Sequence, residues 1–299
     1  MNILTLENVY KVFGSNDRLV RRALSMAKEG QRKDEILRAT RCTVAVNDVS
    51  LEVRQAEIFV VMGLSGSGKS TLVRHLNRLI EPTCGEIRVD GQSITSMSAK
   101  ELRNMRRYKL SMVFQTFGLL PHKTVLENVA FGCLLRGDRK DEAYDRAREW
   151  INGKIGLKGY ESKYPDELSG GMRQRVGLAR ALLCNPEVLL MDEAFSALDP
   201  LIRSEMQDVL LDMQASLNKT IVFITHDLDE AIKIGSRIAL MKDGCLVQVG
   251  TPSEIVSSPA TDYVRRFTEH LSRDAGHLDK LNEVKKCALV HHLEIGRAD

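Results

Sequence analysis

What the sequence lacks narrows it first. No apolar run approaches the roughly 18 residues of a membrane-crossing helix. The opening segment, Met1 to Glu7, has neither a basic leader nor a long apolar stretch, so it does not read as a secretion signal. The six cysteines (Cys42, Cys84, Cys133, Cys184, Cys245 and Cys287) include no closely spaced pair. That spacing fits neither a disulfide framework nor a zinc site, and a reduced cytoplasm suits it best. Net charge is only +3 over 299 residues, without the clustered basic face of a nucleic-acid binder, so no nucleic-acid partner is expected. Internal repeats and low-complexity segments are absent too. What remains is an ordinary globular balance, 43% hydrophobic and 28% charged, enough for one large domain or two modest ones.

Hydrophobic patterning then places the elements. Leu4 to Phe13 reads as a strand. Residues 14–40 are polar and basic, with Leu19, Val20, Ala23, Leu24 and Ala27, then Ile36 and Leu37, at helical spacing. That segment reads as an insertion between strands, because Val44 to Val53 alternates again. Glu57 to Met62 is a short apolar run ending in glycine, the pattern of a buried central strand. Lys69 to Leu79 reads as a helix, and a basic helix is expected near Ala99–Arg107 among short strands. Residues 123–182 are mostly helical in pattern. Val188–Met191 and Thr220–Thr225 read as further buried strands with a helix from Leu201 to about Leu217 between them. Ile238–Met241 and Leu246–Val249 read as a hairpin around Lys242-Asp243-Gly244.

Five short sequences carry chemistry. Gly63-Leu-Ser65-Gly66-Ser67-Gly68-Lys69-Ser70, followed by Thr71, matches the glycine-rich phosphate loop in its required strand–loop–helix setting. Glycines let backbone N–H groups approach phosphates, and the helix start adds a favourable dipole. Lys69 is expected to reach the β- and γ-phosphates, and the Ser70 hydroxyl to ligate Mg²⁺. Val188 to Met191 ends in Asp192-Glu193, which puts two carboxylates at the mouth of a buried strand. Asp192 is placed to hold Mg²⁺, and Glu193 to polarise an attacking water. Leu168-Ser169-Gly170-Gly171 opens another helical run, a second candidate anion site; alone it would be a plain N-cap. Gln115 and His226 each close an apolar run, a commonplace setting for a single polar residue.

A phosphate loop followed 100 residues later by Leu168-Ser169-Gly170-Gly171 resembles the ATP-binding cassette family, over residues 1 to about 269. The resemblance implies an α/β phosphate-loop core with a mixed sheet and a helical subdomain inserted at about 121–182. It implies that Gln115 senses Mg²⁺ and the attacking water, and that Ser196-Ala-Leu-Asp199 crosses a dimer interface. His226 then contacts the γ-phosphate and Phe13 stacks on adenine. Met172 stands where the family's signature has glutamine. Within the family, Glu57 to Gly66, Ser169 to Arg175 and Met191 to Arg203 resemble the ATPase subunit of glycine betaine/proline importers, as does the 14–44 insertion.

The expected function is ATP hydrolysis powering import of a small solute such as glycine betaine, proline or choline. The alternatives are a cassette for another amino acid or amine, such as histidine, or a non-transport cassette. A kinase, a GTPase and a catalytically dead module fit less well, given Leu168 to Gly171, His226 and intact Lys69, Asp192 and Glu193. The implied cofactors are ATP and Mg²⁺. The implied partners are a second cassette, integral-membrane permease subunits and, indirectly, an extracytoplasmic solute-binding protein. The expected location is the cytoplasmic face of the inner membrane. Residues 117–131 are expected to offer a groove to a permease helix, and the basic 14–44 insertion to lie near the inner leaflet. The 270–299 tail is too short for a pair of regulatory CBS modules.

Overall fold

A computed structural model describes residues 1–115, 118–196 and 198–272. The elements run as follows: Asn2–Phe13 (β1), Asp17–Lys28 (α1), Lys33–Thr40 (α2), Thr43–Arg54 (β2), Ile58–Met62 (β3), Lys69–Leu76 (α3), Cys84–Val89 (β4), Gln92–Ser93 (β5), Ala99–Tyr108 (α4) and Leu110–Val113 (β6). They continue with Val125–Arg136 (α5), Lys140–Glu149 (α6), Gly170–Leu183 (α7), Val188–Asp192 (β7), Pro200–Leu217 (α8), Thr220–Thr225 (β8), Leu228–Ile234 (α9), Arg237–Lys242 (β9), Cys245–Gly250 (β10), Pro252–Ser257 (α10) and Asp262–Ser272 (α11).

The expected α/β core with a mixed sheet is present. It is six-stranded, in the order β10-β9-β3-β8-β7-β6, parallel except for the β9–β10 hairpin. A second sheet, β2-β1-β4-β5, is antiparallel throughout. The short apolar strands of the mixed sheet are buried on both faces, and alternate residues feed two cores. Ile58, Val60, Met62, Leu189, Met191, Ile221 and Phe223 join the helices on one side. Phe59, Val61, Val188, Leu190, Val222 and Ile224 meet α3 and the antiparallel sheet on the other.

α1 and α2 fall between β1 and β2. Their apolar residues Ala23, Ala27 and Ile36 pack on Tyr10, Val12, Cys42 and Val44, a small core of their own. Arg18, Arg21, Arg22, Lys28, Arg38 and Arg41 stay exposed. α5, α6 and α7 lie between β6 and β7. The helix expected to run to Leu79 stops at Leu76, because Arg78 turns left-handed at φ +53. Asn77 Oδ1 accepts from Leu79 N–H at 3.1 Å there, a local bond that competes with the helix. The short α9 and the closing α10 and α11 were not foreseen. Among the described residues no helix is long and apolar enough to cross a membrane.

Candidate nucleotide site

The site is built where parallel strands end. β3 runs into Gly63–Ser70, β8 into His226, β7 into Glu193, and β6 into Gln115. Because β3, β8, β7 and β6 are neighbours in that order, motifs up to 163 residues apart arrive side by side. The register aligns their ends: Met62 faces Thr225, Asp192 faces Ile224 and Val113 faces Met191. Ligands of open α/β sheets sit at this edge of carboxyl ends.

Two glycines of the phosphate loop are required by space and backbone together. Gly63 has φ +150, and a Cβ there would lie 2.2 Å from Met241 O. Gly68 has φ +100, and a Cβ there would lie 2.3 Å from Ala45 O. Gly68 also caps α3, so the loop closes against β2 and delivers Lys69 at the helix start. Ser67 Oγ is buried and has no hydrogen-bond partner among the described residues. A buried orphan hydroxyl is costly to a fold and useful to a ligand with oxygen acceptors.

Lys69 is 4% exposed. Its ammonium donates to Gly63 O at 2.9 Å and Leu64 O at 3.2 Å, and lies 3.7 Å from Glu193 Oε1. Burial holds its pKa below the usual lysine value, opposed by the Glu193 and Asp192 charges. Asp192, 2% exposed, accepts two hydrogen bonds on Oδ2 from Arg74, at 3.1 Å from Nε and 2.9 Å from NH2. A buried carboxylate needs such a partner. Arg74 was missed by the sequence reading. The available signal was its position four residues after Ser70, on the same helix face.

Glu193 bends away from β7 at φ +48, unusual for a residue with a side chain. Its carbonyl accepts from Ser196 Oγ at 2.9 Å, and its Oε2 lies 3.7 Å from His226 Nδ1. Gln115 Nε2 donates to the same Ser196 Oγ at 3.4 Å. The structure thus links Lys69, Glu193 and His226 through direct contacts, and Gln115 to Glu193 through Ser196. Phe13 ends β1 opposite Thr43, two residues along β2 from Ala45, whose carbonyl abuts Gly68. It is exposed, with the Lys11 ammonium 4.8 Å from its ring centroid.

Among the described residues no hydrogen bond or ion pair joins Ser169 to this group. Ser169 caps α7, accepting from Met172 N–H at 3.3 Å. Gly171 lets α7 pack against Ile202, where a Cβ would come within 2.5 Å, and Arg175 pairs with Glu205 at 2.8 Å. The Ser169–Gly171 turn therefore sits on the start of α8, whose N-cap is Asp199.

Comparison with known proteins gives the family. The family described as ABC transporter matches residues 46–196. The glycine betaine transport ATP-binding protein OpuAA of Bacillus subtilis is 56% identical over 284 residues, covering 94% of this chain and 67% of that protein. The glycine betaine/proline betaine transport system ATP-binding protein ProV of Escherichia coli is 57% identical over 264 residues, 88% of this chain and 65% of its own length. The chain thus spans about two thirds of the length of these relatives. A dimeric ATP-binding cassette in a post-hydrolysis state, bound to ADP and Pi, superposes with a TM-score of 0.70 at 30% identity, over 83% of this chain and 98% of its own. With strand-end motifs, family match and relatives in accord, the chain is an ATPase cassette of the ABC transporter family.

Proposed function

We propose that the chain is the ATP-hydrolysing subunit of an importer for a quaternary amine such as glycine betaine or proline betaine. The observation that carries the hydrolytic part is the contact chain Lys69–Glu193–His226 at the edge of the mixed sheet. The transport systems named for the relatives support the solute class.

In this reading Gly63, Ser65, Gly66, Ser67, Gly68, Lys69, Ser70 and Thr71 cradle the phosphates. Lys69 exchanges two carbonyl acceptors for phosphate oxygens, which suits a buried ammonium. Ser70, Gln115 and Asp192 offer hard oxygen donors, the set Mg²⁺ prefers when substrate phosphates complete its shell. A Mg²⁺ ion held by these residues would supply charge neutralisation to the phosphates. Arg74 releases the Asp192 carboxylate for that purpose, and its 43% exposure leaves it room to swing into solvent. Glu193 takes the proton of the attacking water, and His226 steadies the γ-phosphate. Phe13 offers a ring to adenine. Ser169, Gly170 and Gly171 of a second copy close over the phosphates, since within one chain they sit on α8. Permease subunits supply the membrane path, and a solute-binding protein supplies the cargo. The cassette then sits peripherally on the cytoplasmic face.

The test uses the purified chain and a reconstituted transporter. Glu193→Gln is expected to bind ATP normally and lose turnover by on the order of 10²-fold or more. Liposomes carrying the cassette with its permease and binding protein are expected to take up labelled glycine betaine on ATP addition, and not histidine. Near-normal hydrolysis by Glu193→Gln would remove that residue from the chemistry. Histidine uptake without betaine uptake would replace the solute class.

A further inference from the structure

Contacts around Glu193 close into a ring. Ser196 Oγ donates to Glu193 O at 2.9 Å. Two residues later, Leu198 O accepts from Arg203 NH2 at 3.1 Å. Arg203 NH1 reaches Asp227 Oδ2 at 3.4 Å. Asp227 directly follows His226, whose Nδ1 lies 3.7 Å from Glu193 Oε2. Beside the Glu193–His226 contact, Arg203 is a further link between the loop after β7 and the loop after β8.

The helices behind this link are stitched by polar contacts at helical spacing. Gln207 Nε2 donates to Glu230 Oε1 at 3.1 Å, and both residues are buried. Lys233 pairs with Asp208 at 2.8 Å and donates to Ser204 Oγ at 3.1 Å. α8 and α9 are thereby fixed side by side, and Arg203 and Asp227 lie at their starts. A guanidinium can serve two acceptors in fixed directions, whereas an ammonium cannot reproduce that fork. Arg203 Nε is buried without a partner among the described residues, a cost the fold accepts to hold the group here.

We propose that Arg203 is a positioning residue for hydrolysis. It ties the loop that follows Glu193 to the loop that carries His226, so that carboxylate and imidazole keep one mutual geometry. It touches no substrate. The inference rests on the roles proposed above for Glu193 and His226.

The experiment is a double-mutant cycle on the full chain, with ATP binding and steady-state hydrolysis measured separately. Arg203→Met is expected to lower kcat about tenfold and leave ATP affinity within about twofold. Asp227→Asn removes the charge but keeps a good N-cap for α9, and is expected to cost about the same. The combined variant is expected to lose no more than the worse single, because both break one link. Arg203→Lys is expected to fall between wild type and Arg203→Met. Placed on Glu193→Gln, Arg203→Met is expected to add less than about a twofold loss. Losses that multiply in the combined variant overturn the proposal, as do singles within twofold of wild type or a loss confined to ATP affinity. If Arg203→Met does not fold, Arg203→Lys with Asp227→Asn supplies the same cycle. Turnover retained in Glu193→Gln sinks the reading of Glu193; multiplying losses with Glu193→Gln inactive sink the Arg203 link alone.

Discussion

Glu193 and Glu230 show how differently two carboxylates can be used within one site region. Glu193 is partly exposed, at a left-handed backbone position of the kind that persists where surrounding structure over-determines it. Glu230 is buried under α8, where loss of solvent pushes its pKa above the usual carboxylate value despite help from Thr225 and Gln207. The folded chain therefore holds a proton that the unfolded chain has already lost. That preference stabilises the fold below the ordinary carboxylate pKa and disappears as pH rises through the raised one. At neutral pH what remains is the cost of a buried charge. Glu230→Gln keeps an acceptor for Gln207 and removes that charge. Its Tm is expected to exceed wild type at neutral pH, with the gap closing as the pH is lowered through the raised value. Calorimetry across that range checks it; a gap that is constant or grows on acidification would count against the assignment.

At the level of elements, the segment leading into α5 is held more tightly than its composition suggests. Asn128 is fully buried and accepts from Leu120 N–H at 2.8 Å. Its amide also donates to Leu120 O, Lys123 O and Thr124 O at 2.9 to 3.1 Å. One side chain thus reinforces a turn whose own backbone bond runs from Lys123 N–H to Leu120 O at 3.1 Å. Both leucines are partly buried, but Leu119 packs against the main helical core whereas Leu120 does not join it. Phe117, which began the proposed permease-facing segment, lies outside the described residues. The groove reading therefore rests on Leu120 rather than Leu119. Leu120→Asp is expected to uncouple transport while ATP hydrolysis by the isolated cassette continues, whereas Leu119→Asp is expected to lower stability through burial of a charge. Parallel transport and thermal-melt measurements separate the two, and unchanged transport in Leu120→Asp removes the groove from this segment.

For the whole molecule, what matters is that one chain carries the two helix starts proposed to meet phosphate on different supports. Lys69 opens α3 beneath the strand ends, while Ser169 opens α7 against α8. A head-to-tail pair of copies, each offering Ser169 to the other's Lys69, resolves the mismatch with two-fold symmetry. Mixing Lys69→Ala protein with Ser169→Arg protein is expected to restore part of the hydrolysis that each lacks alone. In a mixed dimer both lesions fall in one site and the other stays intact. A mixture no more active than its separate components, or Glu193→Gln protein that shows no ATP-driven dimerisation by light scattering, overturns this arrangement.

The buried strands were legible because β3, β7 and β8 are short apolar runs closed by functional residues, and burial on both faces leaves no polar alternation to confuse them. The phosphate loop was legible from its residue pattern and its place between strand and helix, while the close approach of Met241 O to Gly63 and of Ala45 O to Gly68 is set by the tertiary fold. Ser169 was legible as the start of α7 through its capping bond, and the helix expected from Leu201 begins at Pro200 with Asp199 as its cap. Arg74, Asn128 and Arg203 were not assigned roles in this way. Arg74 and Arg203 act on partners set by strand order or helix packing, 118 residues away for Asp192 and 24 for Asp227, whereas Asn128 ties a turn whose path no hydrophobic period announces. Local residue order specifies which groups end each strand. Only the stacking of β3, β8, β7 and β6 decides which of those groups meet, because hydrogen bonding between neighbouring strands is what aligns their ends.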